Sequence, residues 1–259
     1  MDPIHQFEIK SLFPIAHIGA TEIAFTNSAL FMLIAVAVIL LLTLGATRSR
    51  ALVPGRAQAV AEMSYEFIAT TLRSTAGPEG MKFFPLVFSL FMFILVLNVI
   101  GIIPYTFTVT SHIIITVALA LLVFFTVLVY GFWKHGLHFL KLFVPSGIPI
   151  YILPLVSFIE VLSFLSRPVS HSVRLFANML AGHIVLFCLI GLIFFIGHIA
   201  VAAVAVPLGM AIYFLELFVA FLQAYIFAML SSLFIGMGVA MGHHDEAQEA
   251  EGTHPPAAH

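Results

Sequence analysis

The chain has 259 residues, 62% of them hydrophobic and 8% charged, with 10 Lys+Arg against 12 Asp+Glu for a formal net charge of −2. A water-soluble domain carries about 25% charged residues, so this chain cannot cover a water-facing surface and its solvent is largely lipid. Scattered basic residues at that net charge argue against nucleic acid. A single Cys188 inside an apolar run gives neither a disulfide framework nor a thiol cluster for metal or redox work.

Residues 1–25 read as a polar-mixed lead on the outer side, with Pro3 and Pro14 set against a long helix there. No basic stretch precedes the first apolar run, which therefore reads as a retained span rather than a cleaved signal. No Asp, Glu, Lys or Arg occurs from Ile23 to Thr47, from Phe83 to Trp133, or from Leu175 to Leu215. A helix needs about 20 apolar residues to cross the hydrocarbon layer, whereas barrel strands would show alternating segments of about 10. The fold class is all-α and polytopic: a single membrane domain over 1–259, with about five membrane helices and one amphipathic surface helix.

Span one is expected over 26–46, and Arg48, Arg50 and Arg56 after it mark that end as cytoplasmic. Over 57–74, Val60, Met63, Phe67, Ile68 and Leu72 recur at helical spacing among Glu62, Glu66 and Arg73, which predicts an amphipathic helix at the membrane surface. Gly77-Pro78 breaks it. Spans two and three are expected over 83–104 and 112–133, joined by a link without Lys or Arg on the outer side. Lys134, His135, His138 and Lys141 then place the 134–149 loop inside, so the N-terminus lies outside and the C-terminus on the cytoplasmic side. The stretches 150–196 and 198–241 are each about twice as long as the hydrocarbon layer is thick at 1.5 Å per residue. Either each is broken into two short spans or each lies strongly tilted. The polar, Pro-containing stretch 243–259 reads as a disordered tail.

An ionised side chain at the bilayer centre costs about 2.5–3.5 kcal/mol even on insertion scales. Arg174, Glu160 and Glu216 are therefore functional candidates, with His183 and Gln223 as polar company. Glu160, Arg167, Arg174, Asn178 and Gly182 fall on one stripe of a helix whose flanks are Leu, Phe, Val and Met. That stripe must face protein or a water-filled cleft. His183 points elsewhere on the same helix, toward a neighbour. Glu216 and Gln223, seven apart, share a face of the last helix, and Ala220, Ala224 and Ala228 form a small-residue stripe suited to close helix packing.

These residues fall in the stretch Ser170–His183, of the pattern SxxxRLFxNMxAGH, and in ELFVAFLQAYIF at 216–227. In this order and spacing they resemble the a subunit (subunit 6) of F-type ATP synthases, in its alphaproteobacterial and mitochondrial form, along nearly the whole chain. The resemblance implies a proton-translocating stator subunit without covalent chemistry or cofactor of its own, in the bacterial inner membrane or its mitochondrial counterpart. Its partners would be a ring of c subunits, the b subunits of the peripheral stalk, and the catalytic head through the complex. It implies that Arg174 is the essential arginine facing the rotor carboxylates and Gln223 the glutamine opposite. Asn178, His183 and Glu216 would line the half-channel from outside, and Glu160 and Ser170 would belong to the cytoplasmic exit. Enterobacterial relatives carry Glu at the position of His183 and His at that of Glu216, and an exchange that keeps one carboxylate and one imidazole suggests a pair acting as a unit. The resemblance also implies that the last two helices are a tilted hairpin against the ring.

Two other classes fit the composition. A secondary transporter would show internal repeats with matching broken helices, and no repeated half is visible. A diheme cytochrome using His183 and His198 would need partner histidines that the last helix lacks before His243.

Overall fold

The computed structural model describes residues 9, 11–18, 21–48, 55–103, 106–136 and 151–252. The 134–149 loop beyond residue 136, Arg50, and the tail from residue 253 lie outside the described residues. Two short strands, β1 (Ser11–Ile18) and β2 (Thr21–Thr26), precede six helices: α1 (Asn27–Arg48), α2 (Arg56–Gly80), α3 (Phe84–Ile102), α4 (Ile113–His135), α5 (Leu153–Ile196) and α6 (Ile199–Gly252). Five stretches are long and apolar enough to cross a membrane, namely Asn27–Thr47, Gln58–Ile102, Ile113–Lys134, Leu153–Ile196 and Ile199–Met237. The chain is an all-α polytopic membrane protein with a small β-hairpin at its start.

That hairpin is a departure from the expected irregular lead. β1 and β2 pair antiparallel from Ser11 opposite Thr26 to Ile18 opposite Thr21, with irregularities near Phe13 and Ala16. Thr21, Ile23 and Phe25 alternate with Glu22 and Ala24, a pattern that suits a pleated strand. The strand runs directly into α1, where the Thr26 hydroxyl accepts from the Ala29 N–H at 3.3 Å as an N-cap.

α2 buries Ile68, Ala69, Leu72 and Ala76, one stripe at helical spacing, and packs this face against α6. The helix breaks where Gly77 adopts φ 71°, ψ −174°, a conformation open to glycine, and Pro78 restarts it. Tyr65 closes over Phe84 with ring centroids 4.6 Å apart, fixing the corner between α2 and α3. The main core gathers Leu72, Val87, Phe91, Ile94, Phe164, Phe227 and Ile235 from α2, α3, α5 and α6. Outward, Leu41, Ile114 and Phe195 are at least 72% exposed. Apolar side chains so fully exposed are at home in lipid and not in water.

α5 and α6 are each one continuous helix despite Pro168 and Pro207, which answers the question of broken spans. At 44 residues α5 is about 66 Å long. It ends at Gly197, whose left-handed φ 65°, ψ 12° turns the chain, and His198 Nδ1 accepts from the Ala200 N–H at 3.2 Å to start α6. α6 continues through Gly252, so residues 243–252 are helical where a disordered tail was expected. Asp245-Glu246-Ala247-Gln248-Glu249-Ala250-Glu251 holds good helix formers and no breaker before Gly252.

The link between α3 and α4 also differs from an exposed outer loop. Phe107, Thr108, Val109, Thr110 and Ser111 are all buried, and the link folds back against α1, α3, α4 and α5. Ser111 Oγ donates to the Thr108 carbonyl at 2.6 Å, and Phe107 stacks on His112 with centroids 5.0 Å apart.

Where α2 crosses α6, a Cβ added at Gly236 would stand 2.8 Å from the Thr75 carbonyl oxygen and 3.1 Å from Ala76 Cα. Backbone cannot yield as a flexible side chain does. Gly236→Leu is expected to force the crossing open and to cut the amount of assembled subunit in membranes several-fold, measured by immunoblot and blue-native electrophoresis, whereas Gly191→Leu, with no atom near its added Cβ, should leave assembly unchanged.

Candidate functional site

The site lies where α3, the buried link, α5 and α6 meet. α5 supplies His183 and α6 supplies Glu216, both buried, and Nδ1 of the imidazole stands 2.7 Å from Oε1 of the carboxylate. The two helices come this close because residue 182 is glycine. A Cβ there would sit 2.7 Å from Glu216 Oε1 and 2.9 Å from its Cδ. The carboxylate thus lies over the bare backbone of Gly182.

The imidazole is held on every side. Nδ1 also approaches the Met179 carbonyl at 2.9 Å, and Nε2 lies 2.9 Å from the Gly101 carbonyl and 3.1 Å from Thr108 Oγ1. Thr108 Oγ1 is itself 3.2 Å from the Gly101 carbonyl. A carbonyl can only accept, so Gly101 favours a proton on Nε2 and Met179 one on Nδ1. The proton between Nδ1 and Oε1 then has two resting places. On nitrogen it makes an imidazolium–carboxylate pair, and on oxygen a neutral pair. At 2.7 Å the two atoms are in ion-pair contact, while the Met179 carbonyl also engages Nδ1.

One and two turns further along α6, a second polar layer follows. Asn98 Nδ2 of α3 donates to the Ala220 carbonyl at 3.2 Å, and Asn178 Nδ2 donates to Gln223 Oε1 at 3.2 Å. Glu216 and Gln223, seven residues apart, do share the buried face of α6, and Ala220, Ala224 and Ala228 are wholly buried among neighbours. Asn98 Oδ1, Gln223 Nε2 and both carboxylate oxygens of Glu216 are buried without a hydrogen bond of good geometry among the described residues, the contact of Oε1 with His183 being one of ion-pair distance.

Arg174 stands one turn from Asn178 on α5 and is exposed, with no hydrogen bond or ion pair among the described residues. A purely structural arginine paired with Glu216 is therefore not what is seen. Ser170 is exposed and Glu160 half-buried. No contact among the described residues joins either to the cluster. Arg167 has a different role from Arg174: its Nη1 approaches Met237 Sδ at 3.2 Å and its guanidinium lies 5.5 Å from the Phe234 ring centroid. A heme-ligand role for His183 does not fit this arrangement, since both its ring nitrogens are engaged.

Three participants were missed by sequence reasoning: Asn98, Gly101 and Thr108. Asn98 carried a signal, as the carboxamide inside an otherwise apolar span. Thr108 and Gly101 carried none, because a hydroxyl in a link and a glycine in a span are ordinary until their partner is known.

Long helices with outward apolar faces and an inward imidazole–carboxylate pair define a polytopic membrane protein built to handle a proton inside the bilayer. Residues 29–236 match the family of the ATP synthase A chain. Relatives named ATP synthase subunit a are 61% identical over 248 residues in Rhodopseudomonas palustris (94% of this chain, 100% of the relative) and 62% over 249 residues in Bradyrhizobium diazoefficiens (94% and 99%). Another, from Nitrobacter winogradskyi, is 61% identical over 248 residues (94% and 100%). The chain belongs to the ATP synthase A chain family, that is, to the membrane-embedded a subunits of F-type ATP synthases, and works in proton transport within a multisubunit complex.

Adding one methyl at Gly182 is the sharpest probe of the contact. Gly182→Ala should displace the Glu216 carboxylate from His183 and lower ATP-driven proton pumping roughly tenfold, the scale of an overpacking penalty of about 1–3 kcal/mol. Fluorescence quenching in membrane vesicles, normalised to assembled complex, measures it. Wild-type pumping would show that the carboxylate does not need its present seat.

Proposed function

We propose that this chain is the stator half of a proton-driven rotary motor: two offset half-channels serve the carboxylates of a c-subunit ring, with Arg174 between them. The observation that carries the reading is Arg174 itself. It is a guanidinium that cannot be deprotonated, exposed on a helix, α5, that is long and apolar enough to cross a membrane. Left in lipid it would cost about 2.5–3.5 kcal/mol. An acidic group carried by a neighbouring subunit removes that cost, and a ring of such groups turns the attraction into a cycle.

The mechanism follows from charge. A rotor carboxylate facing hydrocarbon must be neutral; opposite Arg174 it is stable ionised. Passage through the arginine's position thus releases a proton to one side and requires a new one from the other. From the outside, protons would reach the rotor by way of His183 and Glu216, then past Asn178 and Gln223, where the buried polar atoms without protein partners are suited to water. Ser170 and Glu160, about 6 and 21 Å beyond Arg174 along α5, would line the cytoplasmic exit. The arginine blocks direct passage between the two routes, and each proton so conserved is worth about 2.3 kcal/mol per 100 mV. The length of α5 and α6 supports a strongly tilted hairpin against the ring. The basic residues after α1 support a cytoplasmic C-terminus, with α2 along that surface, b subunits alongside and the catalytic head beyond.

Arg174→Ala is expected to abolish both proton-driven ATP synthesis and ATP-driven pumping in the assembled complex, and Arg174→Lys to restore neither fully, since a buried ammonium can lose its charge. Synthesis at the wild-type rate in Arg174→Ala would falsify this assignment. Glu216→Gln removes the carboxyl's proton site at nearly constant shape; unchanged proton flux in that variant would make Glu216 a structural residue only.

A further inference from the structure

We infer that Thr108, on the buried link between α3 and α4, is the hydroxyl through which His183 exchanges its Nε2 proton with the outer side. This rests on the reading of His183 and Glu216 as the outer relay and adds its entry step. Nothing about the link as a sequence marks this role. It follows from three distances: Nε2 to Thr108 Oγ1 3.1 Å, Nε2 to the Gly101 carbonyl 2.9 Å, and Thr108 Oγ1 to that same carbonyl 3.2 Å.

The argument is one of donor and acceptor capacity. A ring that passes a proton inward from Nδ1 to Glu216 takes its replacement at Nε2 while that nitrogen is bare, the neutral ring then holding its hydrogen on Nδ1 toward the Met179 carbonyl; after the inward transfer the hydrogen left on Nε2 must return to Nδ1, by turnover of the ring, before the next uptake. The Gly101 carbonyl stabilises Nε2 only while it bears hydrogen. Bare, the nitrogen would present its lone pair to an oxygen lone pair 2.9 Å away. A hydroxyl is different, because it both donates and accepts. While Nε2 is protonated, Thr108 Oγ1 accepts from it and donates to Gly101. When Nε2 loses its proton, the same hydroxyl rotates and donates to it. Thr108 is thus the contact that serves Nε2 in both states. In the transfer itself, Thr108 Oγ1 gives its hydrogen to Nε2 as an outer hydronium, directly or through a further hydroxyl, gives one to Oγ1; one N–H bond forms, the threonine O–H is replaced, one O–H bond of the hydronium breaks to leave neutral water, and the positive charge passes to the ring with none left on the threonine.

The local fold supports the assignment. Thr108 is buried, and its Cγ2 would stand 2.9 Å from a Cβ at position 101, so Gly101 is what lets the link reach the ring. The link is also rich in hydroxyls: Thr106, Thr108, Thr110 and Ser111 lie within six residues, with Thr110 Oγ1 buried and without a partner among the described residues. Among the described residues, Glu216 of α6 is a titratable group that faces the ring; α3 offers the Gly101 carbonyl, α5 the Met179 carbonyl and the link Thr108.

The test compares Thr108→Val, which keeps the shape and removes the hydroxyl, with Thr108→Ser, which keeps the hydroxyl. ATP synthesis is followed in inside-out vesicles carrying the whole complex, with the lumen, equivalent to the outer face, preset to a series of pH values. Thr108→Val should need a roughly tenfold higher lumenal proton concentration for half-maximal rate, the scale of one lost hydrogen bond, while approaching the wild-type maximum at acid pH. Thr108→Ser should follow wild type. A merely structural threonine would instead lower the maximum and leave the half-saturating pH in place, and that result overturns the inference, as does a Thr108→Val curve that superimposes on wild type. Should Thr108→Val fail to assemble, Thr108→Ala against Thr108→Ser decides by the same two parameters. Glu216→Gln in parallel separates the levels: if it abolishes synthesis while Thr108→Val is silent, the relay stands and only the entry step falls; if it too is silent, the relay reading itself has failed.

Discussion

A carboxylate inside a hydrocarbon layer persists only where its charge is shared or its proton retained, and Glu216 meets that condition through one contact, 2.7 Å to His183. Much of the surrounding structure exists to hold that contact. Gly182 gives the carboxylate room against α5, Gly101 lets the link approach the ring from behind, and the Met179 and Gly101 carbonyls fix the ring plane. Removing one member of such a pair leaves a buried group uncompensated, at a cost of about 3–5 kcal/mol where it stays charged. The pair is therefore costly to break, and a single proton turns it from ionic to neutral.

Arg174 solves the opposite problem. Its charge cannot be discharged, so it cannot be hidden by moving a proton, and the hairpin offers it no carboxylate among the described residues. One polar device of α5 is paired within the subunit; the other, on the proposed reading, is completed from outside. Their separation of nine residues, about 13 Å of helix, is filled by Asn178 and Gln223. On the proposed reading this ordering needs one rigid helix, because a kink between positions 174 and 183 would change the spacing on which transfer to a moving partner depends; Pro168 lies before that stretch.

The hairpin's polar residues were legible in the sequence because membranes make them so. Against a background of Leu, Phe and Val, each of Arg174, Asn178, His183, Glu216 and Gln223 stands out, and helical spacing already gives the shared burial of Glu216 and Gln223 on α6. What lay beyond reach was the far side of His183. Its partners Thr108 and Gly101 are 75 and 82 residues away along the chain, and no local period links them. Absence of charge made the 104–111 link look like an outer loop, yet it is also the condition for burying it. The β-hairpin was obscured by Pro14, which argues correctly against helix but is tolerated in an edge strand. The helical 243–252 segment was obscured by polarity, which excludes a span but not a helix of Glu, Gln and Ala.

The middle layer carries a consequence for direction. The side-chain amides of Asn178 and Gln223 donate and accept hydrogen bonds but do not take up a proton near neutral pH, so between Glu216 and Arg174 no described protein group can hold one. On the proposed reading, a proton leaving Glu216 must travel on water and must stop short of a fixed positive charge that repels it. The nearest stable site is then a carboxylate presented at the hairpin's open face by another subunit. A titratable residue at 178 or 223 would offer the proton a resting place beside the arginine and shorten the gap to the exit route, whereas two amides bonded to each other at 3.2 Å hold the gap without filling it. The non-ionisable pair is as much a part of the barrier as the guanidinium: one denies the proton a foothold, the other a path.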